Sequence, residues 1–137
     1  MADDAPLLDT NVILRHVTQD SPELSPRATA IITRLGTGEL RARILDQALF
    51  EAAFTLLGMY EATREELQTT LQGLIDLPGV IVRSKAVWEA TLDIFADSKL
   101  SLVDAYHVAI ARQSGIGEII SFDTDFDNVP GIKRIAP

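Results

Sequence analysis

Short apolar or β-branched runs alternate with longer helical stretches along this chain, and that alternation restricts the fold more than any other feature. Pro6-Leu7-Leu8 is an apolar run ending at Asp9, and a helix from about Asn11 to Gln19 is expected to follow. Asp20-Ser21-Pro22 marks a second helix, with Ser21 as N-cap and Pro22 at the first helical position, running to Leu35 and stopping at Gly36. Ala42 to Leu45 reads as a strand, after which Asp46 is expected to cap an apolar helix reaching Tyr60. Thr63-Arg64-Glu65-Glu66 carries the capping-box pattern and opens a helix that ends before Pro78-Gly79. Val80-Ile81-Val82 is a third strand. Ser84 caps a helix through Trp88 and Phe95, and Ser101 starts another that runs to Gly115. Glu118 to Phe122 and Ile132 to Ile135 complete the set as fourth and fifth strands.

Strands separated by helices imply a mainly parallel sheet covered on both faces, because parallel neighbours need a long crossover. In such sheets ligands sit beyond the carboxyl ends of the strands. Asp9 and Asp123 each fall just after an apolar strand, where that rule puts a site.

The length of 137 residues suits one domain spanning 1–137, and 47% hydrophobic residues provide for a packed interior. No apolar run approaches the roughly 20 residues that cross a bilayer. The start, MADDAPLL, lacks the basic region and apolar stretch of a secretory signal, so a soluble cytoplasmic protein is expected. The absence of cysteine excludes disulfides and thiolate metal ligands. A net charge of −8 argues against a surface that coats nucleic acid generally, since phosphate binding needs local positive potential. It leaves room for an enzyme whose site becomes cationic with a bound metal, and for a basic protein partner.

The sharpest chemical feature is a set of acids in apolar surroundings. Between Gln47 and Tyr60 the only charged residue is Glu51, and between Leu100 and Ala111 it is Asp104. A helix apolar nearly all round is expected to be buried, where a lone carboxylate is costly unless paired, hydrogen-bonded or bound to metal. If these acids share a cleft with Asp9 and Asp123, mutual repulsion favours a proton or a divalent cation. Their hard oxygens suit Mg²⁺ or Mn²⁺. Each acid also has a structural reading. Asp9 is a good N-cap, Ser101-x-x-Asp104 fits a capping box, and Asp123 with Asp125 can cap and begin a short helix before Gly131. Glu51, in mid-helix, has no local capping role but can form a tertiary ion pair.

Taken in order, Leu-Leu-Asp9-Thr10-Asn11-Val12, the lone Glu51, Leu-Val-Asp104-Ala-Tyr-His-Val-Ala and Ser121-Phe122-Asp123-Thr124-Asp125-Phe126 resemble the PIN-domain ribonucleases. The likeness is greatest to the VapC-like toxins of type II toxin–antitoxin modules, and it covers essentially the whole chain. It implies an α/β three-layer sandwich, with a central, mainly parallel sheet of about five strands flanked by helices. It further implies a pocket of catalytic and metal-binding acids at Asp9, Glu51, Asp104 and Asp123, with Asp125 competing for the fourth place. Thr10, Asn11 and Ser121 match polar positions that support the pocket. The activity implied is Mg²⁺- or Mn²⁺-dependent hydrolysis of RNA, leaving a 5′-phosphate and a 3′-hydroxyl. The partners implied are an RNA substrate, a cognate antitoxin and a second copy in a homodimer. Arg15, one turn beyond Asn11, is a candidate phosphate contact, with a salt-bridged surface arginine as the plain alternative. His107, one turn after Asp104, is a packed histidine in the plain reading and a general base in the sharper one.

Two rivals stand against this reading. Another metal-dependent phosphoryl hydrolase is disfavoured in detail. A haloacid-dehalogenase-type phosphatase wants a second Asp where Asn11 stands, a response-regulator receiver wants an Asp where Ile81-Val82-Arg83-Ser84 has none, and neither a phosphate-binding Lys-Ser/Thr loop nor a Gly-x-Ser-x-Gly elbow is present. A non-catalytic interaction module fits the acidic surface and the helices near residues 23–40 and 64–72.

Overall fold

Hydroxyl side chains fix the starts of most helices. In the computed structural model, which describes residues 4–137, the elements fall into two compact units, one up to Arg83 and one from Ser84 to Pro137. The first unit holds α1 (Thr10–Thr18), α2 (Leu24–Thr37), β1 (Ala42–Arg43), α3 (Asp46–Gly58), α4 (Arg64–Ile75) and β2 (Val80–Ile81). The second holds α5 (Lys85–Asp97), α6 (Leu102–Gln113), β3 (Glu118–Ile120), a short 3₁₀ helix (Thr124–Asn128) and β4 (Lys133–Ile135).

Within the first unit, β1 and β2 are parallel, with Ala42 opposite Val80 and Arg43 opposite Ile81. The segment at Leu7 adds a further parallel bridge to Arg43, held by Leu8 N–H to the Arg43 carbonyl and Arg43 N–H to the Pro6 carbonyl, both 2.8 Å. Helices α3 and α4 form the crossover that parallel pairing of β1 with β2 requires. The chain returns from α4 through Pro78-Gly79, where the backbones crowd. A Cβ added at Gly79 would lie 2.0 Å from the Leu40 carbonyl oxygen and 2.9 Å from that of Leu35, so glycine alone fits. In the second unit β3 and β4 are also parallel, with Ile119 opposite Arg134. The fold is thus α/β with parallel pairing throughout its described ladders; four of the expected strands are present, each shorter than its apolar run, and the first is reduced to the isolated bridge at Leu7. The pairings form one set in each unit; a single five-stranded sheet is not among them.

Several starts follow the expected capping chemistry. Thr63 and Glu66 exchange both bonds of a capping box, at 3.1 and 2.9 Å. Ser84 caps α5 through the Val87 N–H (3.2 Å), and Ser101 caps α6 through that of Asp104 (3.1 Å). Helix α2 begins at Leu24, later than Pro22, yet the Ser21 hydroxyl still accepts from Leu24 N–H (3.0 Å). It passes through Gly36 and ends at Gly38, whose φ of 77° is the left-handed stop that glycine allows without strain. Asp46 is not a cap. It is the first residue of α3, behind Leu45, which has no side chain to offer the helix amides.

The core of the first unit gathers Ile13, Leu35, Ile44, Leu49, Leu67 and Leu71, all fully buried. Each such side chain is worth roughly 1.5–3 kcal/mol relative to exposure. In the second unit α5 packs on α6, with the Trp88 ring 5.5 Å from that of Tyr106, and Leu100, Val108, Phe126 and Ile132 form a cluster beneath the 3₁₀ helix.

One expectation fails on burial. Helix α3 is not covered on every side. Leu49, Ala52, Ala53 and Leu56 face the core, while Glu51 is exposed and Phe54 keeps 51% of its surface in contact with solvent. An apolar composition does not by itself supply packing partners for every face.

Candidate active site

Asp9 ends the extended segment at Leu7-Leu8 and is the N-cap residue of α1. Its backbone carbonyl accepts from Val12 N–H (3.1 Å), but its side chain makes no capping bond. The carboxylate is exposed and has no hydrogen-bonding or ionic partner among the described residues. It stands at the positive end of a helix dipole, a place that favours negative charge. Thr10 beside it is buried and Asn11 is exposed. Glu51 lies in the second turn of α3, and its carboxylate is likewise without a partner among the described residues. The tertiary ion pair open to it on sequence grounds is not formed. Exposure removes the desolvation cost inferred for this acid, so its placement carries no penalty that a metal must relieve.

Arg15 takes the plain alternative. Its guanidinium bonds the Asp20 carboxylate at 3.0 Å, and the Tyr60 hydroxyl donates to the other Asp20 oxygen at 2.6 Å. The Tyr60 bond, reinforced by Arg15, brings the Asp20 pKa down to about 2. Arg15 therefore pins the end of α1 to the loop that follows it.

In the second unit, Asp104 sits in the first turn of α6, half-buried. Its backbone N–H is taken by the Ser101 hydroxyl, but its carboxylate does not return the bond to Ser101 N–H. The capping box is half made and the acid stays uncommitted among the described residues. His107 is exposed and its Nδ1 lies 3.0 Å from the Val103 carbonyl oxygen, a contact along its own helix.

The turn after β3 is a ladder of side-chain bonds to backbone. Ser121 Oγ accepts from Asp123 N–H (3.0 Å), and Asp123 Oδ1 accepts from Asp125 N–H (2.9 Å), capping the 3₁₀ helix. One Asp123 oxygen is thus spent on the backbone, whereas the Asp125 carboxylate has no partner among the described residues. Arg134, on β4, grips Asp127 through two bonds (2.8 and 3.2 Å) and donates to the Ser121 carbonyl (3.1 Å). Its guanidinium holds the Asp127 carboxyl below the usual range, and Asp123 adds to the negative field around it. Sequence reasoning passed over Arg134 as a strand residue, because its partner lies seven positions away across a turn. The advance signal was slight, since Arg134 stands beside Lys133 in a short strand and nothing in the sequence marks which of the two is paired.

Within neither unit do three His, Asp or Glu side chains of the described residues gather as a set able to hold a metal ion. The donor chemistry nonetheless suits one. Asp9, Glu51 and Asp104 offer carboxylate oxygens that no lysine or arginine among the described residues neutralises, and such oxygens are the ligands hard divalent cations take.

A family model for the PIN domain matches residues 7–132, nearly the whole chain. The chain belongs to the PIN-domain family. Within that family it is similar to the protein named VapC ribonuclease Mb1869c of Mycobacterium bovis and to Ribonuclease VapC13 of Mycobacterium tuberculosis. Each is 28% identical to it over 134 residues, a stretch covering 95% of this chain and 98% of the relative. The VapC-like resemblance read from the ordered acids is thereby shown.

Proposed function

We propose that this protein is an endoribonuclease of the VapC type, dependent on Mg²⁺ or Mn²⁺, and the toxin of a toxin–antitoxin pair. The observation that carries the reading is the combination of a match over 95% of the chain to VapC ribonucleases with carboxylates at Asp9, Glu51 and Asp104 that no basic group among the described residues neutralises. The proposal treats residues 1–137 as one PIN-like domain with a central, mainly parallel sheet of about five strands. The parallel ladders within each unit support it. No helix among the described residues is long and apolar enough to cross a membrane, and a cytoplasmic site of action is part of the proposal, as is a homodimer.

In this mechanism Asp9, Asp104 and Asp123 would hold the cation, directly or through water, and Glu51 would ligate it or orient the attacking water. Asp125 is the alternative to Asp123, its carboxylate having no partner among the described residues. Thr10, Asn11 and Ser121 position these acids; the Ser121 bond to the Asp123 amide is an instance. The bound cation supplies Lewis acidity, lowering the pKa of water and polarising a phosphoryl oxygen. Water adds to phosphorus, the 3′-oxygen departs and takes up a proton, and the fragments carry a 5′-phosphate and a 3′-hydroxyl.

The test is cleavage of single-stranded RNA by the purified chain, with and without a chelator. Activity is expected to vanish in EDTA and return with Mg²⁺ or Mn²⁺ in excess. Undiminished cutting in EDTA would remove the metal from the mechanism. No cutting by the folded chain with either metal would favour the non-catalytic interaction module. Co-expression with the product of a neighbouring small open reading frame is expected to relieve growth arrest if that product is the antitoxin.

A further inference from the structure

In the second unit, the turn between α5 and α6 and the 3₁₀ helix enclose a pocket of about 240 Å³. That is below the roughly 300–1,000 Å³ of sites for drug-sized ligands, and it suits one flat ring system. One wall carries Lys99 and Leu100, the other Asp125, Asn128 and Val129. The walls are tied together from beneath, because Leu100 and Phe126 share a buried cluster against which Val129 also packs. Ser98 Oγ fixes the first wall by accepting from Leu100 N–H (3.2 Å), and Asp123 fixes the second through the Asp125 amide. The Asp125 carboxylate and the Asn128 amide are exposed and make no side-chain hydrogen bond among the described residues. Both walls also run into candidate acids. Leu100 leads through Ser101 to Asp104, and Asp125 follows Asp123 by two residues.

The chemistry of these groups selects an occupant. A carboxylate only accepts, and its two oxygens together match two N–H donors side by side. Among the RNA bases guanine alone presents that pair, N1–H beside the 2-amino group. Adenine and cytosine set a ring acceptor next to their amino group, and uracil flanks its single N–H with carbonyls. Guanine O6, next along the same edge, needs a donor, which the Asn128 amide supplies. An arginine side chain from a protein also offers paired N–H donors, but it would bring a second positive charge to the pocket that Lys99 lines. A metal ion meets the same objection. We propose that this pocket binds a guanine base of the RNA substrate, with Asp125 reading N1–H and the 2-amino group and Asn128 reading O6. The inference rests on the ribonuclease reading with Asp123 as the fourth acid, and it turns Asp125 from the metal to the base.

The experiment measures, by anisotropy in EDTA, binding of a short fluorescein-labelled uridine oligonucleotide that carries one guanosine, inosine or adenosine. Inosine keeps N1–H and O6 but lacks the 2-amino group. The wild type is expected to bind the guanosine oligonucleotide about five- to tenfold more tightly than either of the others, the worth of a hydrogen bond to a charged group. Asp125→Asn is expected to bring the guanosine-to-inosine ratio close to one. The ratio is the readout, since removing a negative charge strengthens the binding of every oligonucleotide alike. Asn128→Ala is expected to weaken guanosine and inosine equally, about threefold, because both present O6. Both positions are exposed, so the variants keep the fold. Equal affinity of the wild type for all three oligonucleotides would overturn the pocket, even if cleavage with Mg²⁺ is robust. So would a wild-type guanosine-to-inosine ratio in an Asp125→Asn protein that has lost cleavage, which would return Asp125 to the metal. A guanosine preference that depends on Asp125 and Asn128 in a chain that never cuts would instead sink the nuclease reading and leave the pocket standing.

Discussion

Two helix starts in this protein carry the same sequence pattern and use it differently. At α4, Thr63-x-x-Glu66 makes both reciprocal bonds, so the Glu66 carboxylate is spent on the Thr63 backbone N–H. At α6, Ser101-x-x-Asp104 makes only the bond from Asp104 N–H to the serine hydroxyl. Aspartate is one methylene shorter than glutamate, and its carboxylate does not reach back to close the box. One acid has therefore become part of the helix scaffold, while the carboxylate of the other has no partner among the described residues. Spacing alone does not tell them apart; side-chain length does.

The largest test of this contrast exchanges charge for amide at each start. Asp104→Asn is expected to lower RNA cleavage more than about a hundredfold, as expected when a group acting on the reacting atoms is removed. Its melting temperature is expected to stay near that of the wild type, because the carboxylate makes no bond among the described residues. Glu66→Gln is expected to leave cleavage unchanged. A folded Asp104→Asn with full activity would erase the distinction and withdraw Asp104 from the site.

The same contrast shows what the sequence could disclose. Helix starts were legible wherever the signal is local. Thr63, Ser84, Ser101 and Asp123 each bond an amide two or three residues on, and such bonds can be read from spacing. The α/β class was legible from alternation, although the strands proved shorter than their apolar runs because pairing depends on neighbours distant in the chain. Glu51 was expected to be buried because composition counts apolar residues without saying how each face is covered; Phe54 stacks on Phe50 along the same helix yet stays 51% exposed, and Met59 is 76% exposed. The PIN family was legible through the order of the acids along the chain. The roles of the cations were not, since Arg15, Arg27 and Arg134 are distinguished only by whether an acid happens to lie within reach.

A smaller effect is expected from deleting the capping hydroxyls. Thr63→Ala and Ser101→Ala each leave one helix amide without its acceptor, at a cost of about 1 kcal/mol. For a chain of this size that corresponds to a fall of roughly 3–5 °C in melting temperature. Thr63→Ala is expected to be the more damaging, because it also loosens the geometry that lets Glu66 reach the Thr63 backbone. Urea denaturation of the two variants side by side measures the difference. A clearly larger loss for Ser101→Ala would mean that the half-made box is the stronger cap, contrary to the comparison.

The smallest expected effect is in the acid range and isolates the closed box. The Thr63 backbone N–H, with help from the Thr63 side chain, holds the Glu66 carboxyl below its ordinary value of 4.5. A depressed carboxyl contributes stability that is fully present above its unfolded value and is lost as pH falls through the folded value. At neutral pH the wild type should therefore be slightly more stable than Glu66→Gln, whose neutral amide accepts the same bond without charge assistance. As pH drops below 4.5 that advantage should shrink toward zero, because protonation makes Glu66 resemble the glutamine. Since Glu66 is fully exposed, solvent screening keeps the whole effect small. Denaturation midpoints of both proteins at pH 6, 4.5 and 3, values chosen to bracket about one and a half units on either side of a glutamate's ordinary pKa, read it directly. A gap that stays constant across this range would show that the bond to Thr63 acts through shape and not through charge, and would leave the acidic nature of Glu66 unexplained by its place in the helix.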